Sequence, residues 1–397
     1  KQSDMSVQVA VRTLLLVGCL GASFAFQAPS TLTPNSISHL RSARCGVTTP
    51  NLALHSARNR HVPLGITMAT AEPQALEYEV DDRGRERLKY REEGWNTWVW
   101  KGTEETTCAP YEINYVQGGE AGVPIVLVHG FGAHAYHWRY QFPELAKKHK
   151  VYSLCLLGYG WSPKAVVPYS MDIWGQQVAD FIAEVVQEPA VVCGNSIGGV
   201  ASLRAASLNQ EMVKGLVLLN AAGNFEAVPL SEEERAELEA IAEEKKKGLG
   251  GWLASAFQKI ASGLIFLSTK SRIGPILKQV YHDEQQVDDD LVRSIQTPAK
   301  DPQALAAFRE ISMQQARIRT TVPEMLDLCK EQLPVLILWG QKDPWMTPAR
   351  GDSVNRVCEE KGLECEFIPL EAGHCPQDDN PDAVNKELLK WVADRFE

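Results

Sequence analysis

The chain has 397 residues, 44% of them hydrophobic, and a formal net charge of −10 at pH 7. This length and composition can bury a substantial hydrophobic core, in one large domain or two smaller ones. The acidic balance argues against nucleic acid as a partner. No uninterrupted run of 18 apolar residues follows residue 30, so the sequence predicts no internal membrane-spanning helix.

Residues 1–70 differ in composition from the rest of the chain, because no Asp or Glu lies between Met5 and Ala71. The stretch VRTLLLVGCLGASFAF has one basic residue, a short apolar run and then small residues, which is typical of a signal peptide. The stretch after it is rich in Ser, Thr and Arg, as transit peptides are, although an ordinary disordered tail is the alternative.

With Phe26 placed just after the small residues, this segment resembles the bipartite presequence of algae with secondary plastids. The resemblance implies a signal-plus-transit presequence over residues 1–70 and a location in a secondary plastid. We expect the mature protein to begin between residues 62 and 75.

From about residue 95 the sequence alternates short apolar runs with longer amphipathic stretches. WNTWVW and YEINYV predict a hairpin-like pair of strands, and the continuous apolar run VPIVLVHG predicts a buried parallel strand. Ser170 and Asp172 predict the N-cap and first turn of a helix. Strands that alternate with helices in this way indicate a parallel sheet covered on both faces.

The alternation stops between residues 222 and 330, where only helical patterns are found. The patterns SEEERAELEAIAEEKKKG and GGWLASAFQKIASGLIFL are the first two of them, and the second is apolar on one face. Such a face suits a lid over a long hydrocarbon tail, or helices that simply pack on one another. The sequence therefore predicts a core of residues 78–221 and 331–397, with a helical cap inserted at 222–330 after the sixth strand.

The stretch from Gly194 to Gly198 fits the pattern Gly-x-Ser-x-Gly between a predicted strand and a predicted helix. Glycines on both sides permit a sharp, strained turn that holds the Ser196 hydroxyl clear of the sheet. We therefore predict that Ser196 is a nucleophile, the alternative being an ordinary turn residue. The N–H of Ile197 is then one donor to a developing oxyanion, and the N–H of Phe131 in the loop HGFGA is the second.

A nucleophilic serine needs a histidine as base and a carboxylate to orient it, in the chain order Ser, acid, His. Only His282 and His374 follow Ser196; His282 lies in the predicted cap, whereas His374 follows the last predicted strand. His374 is therefore the predicted base. The predicted acid is Asp343, just past the strand LPVLILWG, with Glu371 as the rival.

The remaining polar residues offer no metal or cofactor site. The nine cysteines form no CxxC pair and no Cys/His cluster at zinc spacing, so we predict neither metal nor cofactor. For His129 we prefer a structural role in the loop to a role as metal ligand or base.

These residues resemble the α/β-hydrolase superfamily and, within it, the pheophytinase and chlorophyll dephytylase group of plastids and cyanobacteria. The resemblance is carried by LVHGFGAHAYHWRYQFPELA, EPAVVCGNSIGGVASL, WGQKDPW and AGHCPQDDNPDAVN. It implies the α/β-hydrolase fold, a mostly parallel central sheet with helices on both faces. It also implies that Ser196, Asp343 and His374 are the triad, with Phe131 and Ile197 as oxyanion donors. One departure is Cys155, where relatives commonly carry Asp.

The implied reaction is hydrolysis of the phytyl ester of chlorophyll or its Mg-free form. The implied partner is thus a hydrophobic ester, a phytylated tetrapyrrole, met in peripheral contact with the thylakoid membrane. The alternatives are a lipid or carboxyl esterase, a meta-cleavage-type C–C hydrolase, and a non-catalytic ligand receptor of the same fold. Haloalkane dehalogenase and epoxide hydrolase activities are disfavoured, because their nucleophile is Asp and position 196 is Ser.

Overall fold

The computed structural model describes residues 75–106, 109–226, 272–312 and 320–397. The predicted presequence and the two predicted helices within residues 231–267 lie outside these ranges. A short antiparallel hairpin, β1 (Tyr78–Val80) and β2 (Glu86–Leu88), precedes the main sheet. The other strands are β3 (Asn96–Trp100), β4 (Tyr111–Gly118), β5 (Ile125–Val128), β6 (Val151–Leu154), β7 (Ala190–Asn195), β8 (Val213–Leu219), β9 (Pro334–Gly340) and β10 (Glu364–Leu370).

The main sheet has eight strands in the order β10-β9-β8-β7-β5-β6-β4-β3. The pairs β3–β4 and β4–β6 are antiparallel, and every other pair is parallel. This confirms the predicted hairpin-like start and the mostly parallel sheet. The four residues of β5 are fully buried, as expected for a strand covered on both sides.

Helices cover both faces of the sheet. They are α1 (Gln141–Leu145), α2 (Met171–Phe181), α3 (Ile197–Leu208), α4 (272–280), α5 (Asp289–Gln296), α6 (Ala304–Ser312), α7 (Val322–Asp327), α8 (Pro348–Glu360), α9 (Pro376–Asp379) and α10 (Pro381–Phe396). Alternate residues of β5 point to opposite faces: Val126 and Val128 join the core cluster of α2, α3 and α8, whereas Ile125 and Leu127 join that of α1 and α10.

The N-terminus of α2 has the capping predicted from the sequence. The Ser170 hydroxyl accepts a hydrogen bond from the N–H of Ile173 at 3.3 Å, and Asp172 lies in the first turn. Both features satisfy or complement the free N–H groups of a helix N-terminus.

The described part of the segment between β8 and β9 contains the helices α4 to α7 and no strand. A partly buried cluster of charges links this segment to the core. Asp288 caps α5 by accepting from the N–H of Leu291, and it also pairs with Arg139 at 2.7 Å. Arg139, fully buried, donates from Nε to Asp378 at 2.7 Å. Because the Asp378 side chain is also fully buried, its charge depends on Arg139 for compensation.

None of the helices in the described ranges has the length and apolar character needed to cross a membrane. The parallel strands β5, β7, β8, β9 and β10 all end at one edge of the sheet. The loops that leave this edge carry the predicted site residues, as expected for an open α/β sheet.

Candidate active site

Ser196 lies at the turn between β7 and α3, with φ 56° and ψ −121°. A non-glycine residue in this part of φ/ψ space carries strain of roughly 1–3 kcal/mol. The flanking glycines have no room for a side chain. A Cβ on Gly194 would lie 2.2 Å from the carbonyl oxygen of Gly198, and a Cβ on Gly198 would lie 2.3 Å from that of Val128. The turn therefore requires glycine at both positions.

The structure brings Ser196, His374 and Asp343 into one hydrogen-bonded chain. His374 Nε2 lies 3.1 Å from the Ser196 hydroxyl, and His374 Nδ1 lies 2.7 Å from Asp343 Oδ2. All three side chains are buried, that of Asp343 completely. A carboxylate can only accept a hydrogen bond, so Nδ1 of His374 carries the proton that it donates to Asp343. The lone pair of Nε2 then faces the hydroxyl of Ser196.

Asp343 is held by two further donors that sequence reasoning missed. The side-chain amide of Asn220 donates to Oδ2 at 2.7 Å, and the N–H of Trp345 donates to Oδ1 at 2.7 Å. Asn220 is itself fixed, because its Oδ1 accepts from the N–H of Gly340 at 2.8 Å. The only signal for Asn220 in the sequence is its place at the carboxyl end of β8, directly after the apolar run.

His374 is held through its backbone and its ring. Its N–H donates to the carbonyl oxygen of Val280, which ends α4, at 2.8 Å. Its carbonyl oxygen accepts from the side chain of Asn195 at 2.9 Å. The ring of Trp345 meets the imidazole edge to face, with 5.0 Å between centroids. Asn195 thus links the serine turn to the histidine loop.

The two predicted oxyanion donors belong to segments that meet at Ser196. A Cβ on Gly130 would lie 3.2 Å from Ser196 Cβ, so this glycine lets the loop that carries Phe131 approach the serine. Ile197 is the first residue of α3, and the first N–H groups of a helix have no partner within the helix. Their role as donors to an oxyanion remains a prediction.

The residues considered as alternatives for the base and the acid take no part in the hydrogen bonds between Ser196, His374 and Asp343. His282 and Glu371 are exposed and contact each other, with 3.3 Å between Nε2 and Oε1. His129 is buried, donates from Nδ1 to the Gly130 carbonyl oxygen at 2.8 Å and accepts from the N–H of Leu156 at 3.0 Å. Burial lowers the pKa of His129 to about 3, so its ring is neutral. Through these two hydrogen bonds the ring stabilises the loop, the structural role that we predicted.

Ser196 and His374 open into a pocket of about 720 Å³, its mouth included. Its described lining is largely apolar and includes Phe131, Ile273 and Leu277. No group of three or more His, Cys, Asp or Glu side chains in the described ranges is arranged to hold a metal ion. The site thus combines a serine, a base and an acid with apolar walls.

A mostly parallel sheet with a Ser–His–Asp chain at its carboxyl edge defines a protein of the hydrolase class. The chain belongs to the alpha/beta hydrolase family, whose model matches residues 125–387.

Two curated proteins show which members of this family the chain is similar to. The chain is 27% identical to the chloroplastic pheophytinase of Arabidopsis thaliana, over 70% of this chain and 64% of that protein. It thus spans just under two thirds of that relative, and the predicted resemblance to this group is confirmed. A second relative, the 2-hydroxy-6-oxo-6-(2'-aminophenyl)hexa-2,4-dienoic acid hydrolase of Metapseudomonas resinovorans, is 35% identical over 28% of this chain and 40% of that protein.

Among solved structures, a thermophilic esterase from Thermogutta terrifontis matches 76% of this chain and 100% of its own. The TM-score is 0.56 and the sequence identity 19%, a likeness that shows the fold.

Proposed function

We propose that this protein is a serine carboxylic-ester hydrolase in which Ser196, His374 and Asp343 act as a catalytic triad. The observation that carries the proposal is the chain of hydrogen bonds from the Ser196 hydroxyl through His374 to Asp343. Ser196 Oγ attacks the ester carbonyl while His374 Nε2 takes its proton, and Asp343 stabilises the imidazolium that forms. The N–H groups of Phe131 and Ile197 bind the oxyanion.

The second half of the reaction follows from the same geometry. His374 gives its proton to the leaving alcohol, and an acyl group remains on Ser196. Water then attacks this acyl-enzyme with His374 again as base, which releases the acid and restores the serine.

We further propose that the substrate is the phytyl ester of chlorophyll or pheophytin and that the protein acts in a plastid. The apolar pocket at Ser196 suits a hydrophobic ester. The similarity to a chloroplastic pheophytinase supports both parts of this proposal. A bipartite signal-plus-transit presequence over residues 1–70 would direct the protein to a secondary plastid.

The test is to incubate the protein and its Ser196→Ala variant with chlorophyll a and with pheophytin a, and to measure free phytol. We expect phytol from the wild-type protein and none above background from the variant. Turnover of short acyl esters without any release of phytol would refute the pigment substrate but keep the esterase. Ligand binding that survives the substitution, with no turnover of any ester, would instead support a receptor.

A second candidate is hydrolysis of a carbon–carbon bond, favoured by the likeness to the Metapseudomonas resinovorans hydrolase. Turnover of a meta-cleavage product by the wild-type protein, with loss in the Ser196→Ala variant, would support this reaction over ester hydrolysis.

A further inference from the structure

A second cavity of about 750 Å³, its mouth included, adjoins the pocket that contains Ser196. The two cavities share the walls formed by Phe131, Gly132, Ile273 and Ile295. The second cavity, which we call the chain compartment, is lined further on by Tyr159, Pro298, Ala299, Ala304, Phe308 and Ile311. These residues belong mainly to the α5–α6 region, so the compartment lies between core and cap.

His134 and Lys164, which also line the chain compartment, offer it little polarity. His134 is buried, and burial lowers its pKa well below the usual range, so the ring is neutral. Lys164 is also buried, and its Nζ donates to the carbonyl oxygens of Gly160 and, at 2.7 Å, of Ser162. Because the ammonium is bound by its own loop, the lysine lines the cavity chiefly with its aliphatic stem. The walls are therefore suited to hydrocarbon.

The junction between the two cavities is formed by Phe131. Its ring contacts Tyr159 at 6.1 Å and Phe308 at 6.3 Å between centroids, both edge to face. Its backbone N–H is one of the proposed oxyanion donors. An ester whose carbonyl oxygen lies at this N–H therefore has one arm directly beside the junction. Gly132 leaves the passage open, since a Cβ there would meet no atom within 4 Å.

We infer that the chain compartment binds one long hydrocarbon arm of the ester while Ser196 attacks the carbonyl group in the first pocket. The inference rests on the proposed esterase function and adds a recognition site for the chain. Each methylene that leaves water for such a compartment improves binding roughly fourfold. Specificity for long-chain esters thus arises at residues that never touch the reacting atoms.

The test uses a variant that fills the chain compartment. Ala304, on α6, is buried and lines this cavity but not the one at Ser196, so Ala304→Phe should shorten the chain that fits. Ala306→Phe is the matched control, because Ala306 lies on the same helix, is half-buried and lines neither cavity.

Two series of esters are assayed, p-nitrophenyl alkanoates and alkyl acetates, each with chains of 4 to 16 carbons. In one series we expect kcat/KM of the wild-type protein to rise with chain length. In that series Ala304→Phe should lower kcat/KM for the 12-carbon ester about tenfold or more and leave the 4-carbon ester within twofold. The series that responds identifies the acyl or the alcohol arm. The same chain-length profile for Ala304→Phe and Ala306→Phe in both series would overturn the inference.

A binding measurement separates this inference from the proposed function. In the Ser196→Ala background, the Kd for p-nitrophenyl dodecanoate and for dodecyl acetate is measured by tryptophan fluorescence. We expect Ala304→Phe to raise the Kd of at least one of them tenfold, and Ala306→Phe to leave both unchanged. Weakened binding in a protein that hydrolyses no ester would refute the esterase and keep the chain compartment. Equal Kd values for both variants would refute the compartment even if esters are hydrolysed.

Discussion

The substitution Gly198→Ala tests whether the geometry of the serine turn depends on the absence of a side chain. A Cβ at this position would lie 2.3 Å from the carbonyl oxygen of Val128 and 2.4 Å from that of His129. Both atoms belong to the backbone of β5 and its loop, so a side-chain rotation cannot relieve the contact. The backbone must move by about 1 Å, which should lower the free energy of unfolding by about 3 kcal/mol or more.

For a domain of this size such a loss lowers Tm by roughly 4–5 °C. The displaced segment carries both Ser196 and the proposed oxyanion donors, and a misplacement of about 1 Å costs on the order of a hundredfold in rate. Thermal unfolding followed by circular dichroism and kcat/KM for a short-chain ester measure the two effects.

The control is Gly274→Ala. Gly274 lies within α4, and the nearest atom to its Cβ would be Val292 Cγ2 at an ordinary 3.5 Å. Alanine in a helix is favoured over glycine by about 1 kcal/mol, so this variant should be slightly more stable than wild type and fully active. A Gly198→Ala protein that melts within 1 °C of wild type and retains its activity would refute the reasoning.

Three further substitutions have defined outcomes. Replacing Asn220 by Leu removes a hydrogen bond to the Asp343 carboxylate, worth about 1.5–3 kcal/mol, so kcat/KM should fall about tenfold or more; an unchanged value would contradict this role. Because burial lowers the pKa of His129 to about 3, the unfolded chain binds a proton below pH 6.5 that the folded chain lacks, and stability falls as pH falls. His129→Gln should therefore reduce the loss of unfolding free energy between pH 7 and pH 5 by about 2 kcal/mol in urea titrations, whereas equal losses would show that His129 is protonated when folded. Arg139→Met leaves the carboxylate of Asp378 buried without its cation and should destabilise the fold by about 3–5 kcal/mol in the same assay; a loss under 1 kcal/mol would show that the pair is not needed.

The residues of the candidate site could be predicted from the sequence because each has a local signature. Ser196 lies between two glycines at a strand-to-helix turn, and only two histidines follow it in the chain. Asp343 lies three residues past the end of an apolar run that forms the strand β9 (Pro334–Gly340). The carboxyl ends of parallel strands meet at one edge of the sheet. The positions of these residues after successive strands therefore predict that they lie close together.

The supporting contacts had no comparable signature. Asn220 and Asp343 are 123 residues apart, and Arg139 and Asp378 are 239 apart. Each pair depends on how distant segments pack, which neither hydrophobic periodicity nor turn chemistry reports. The sequence likewise predicted helices between β8 and β9, but it did not predict that α5 and α6 enclose a compartment beside Phe131.

The contact between α4 and the histidine loop limits how this protein can be recombined with its relatives. The Val280 carbonyl oxygen accepts from the N–H of His374, and a Cβ on Gly373 would lie 2.1 Å from that same oxygen. The end of α4 and the loop of the proposed base are therefore held together as one unit. A chimaera that exchanges only residues 222–330 keeps this hydrogen bond only if the incoming backbone places a carbonyl oxygen at the position of Val280. Transplanting residues 280–282 and 373–374 together preserves the contact. The predicted cap is continuous in sequence, but its helix α4 also fixes the loop that carries the predicted base.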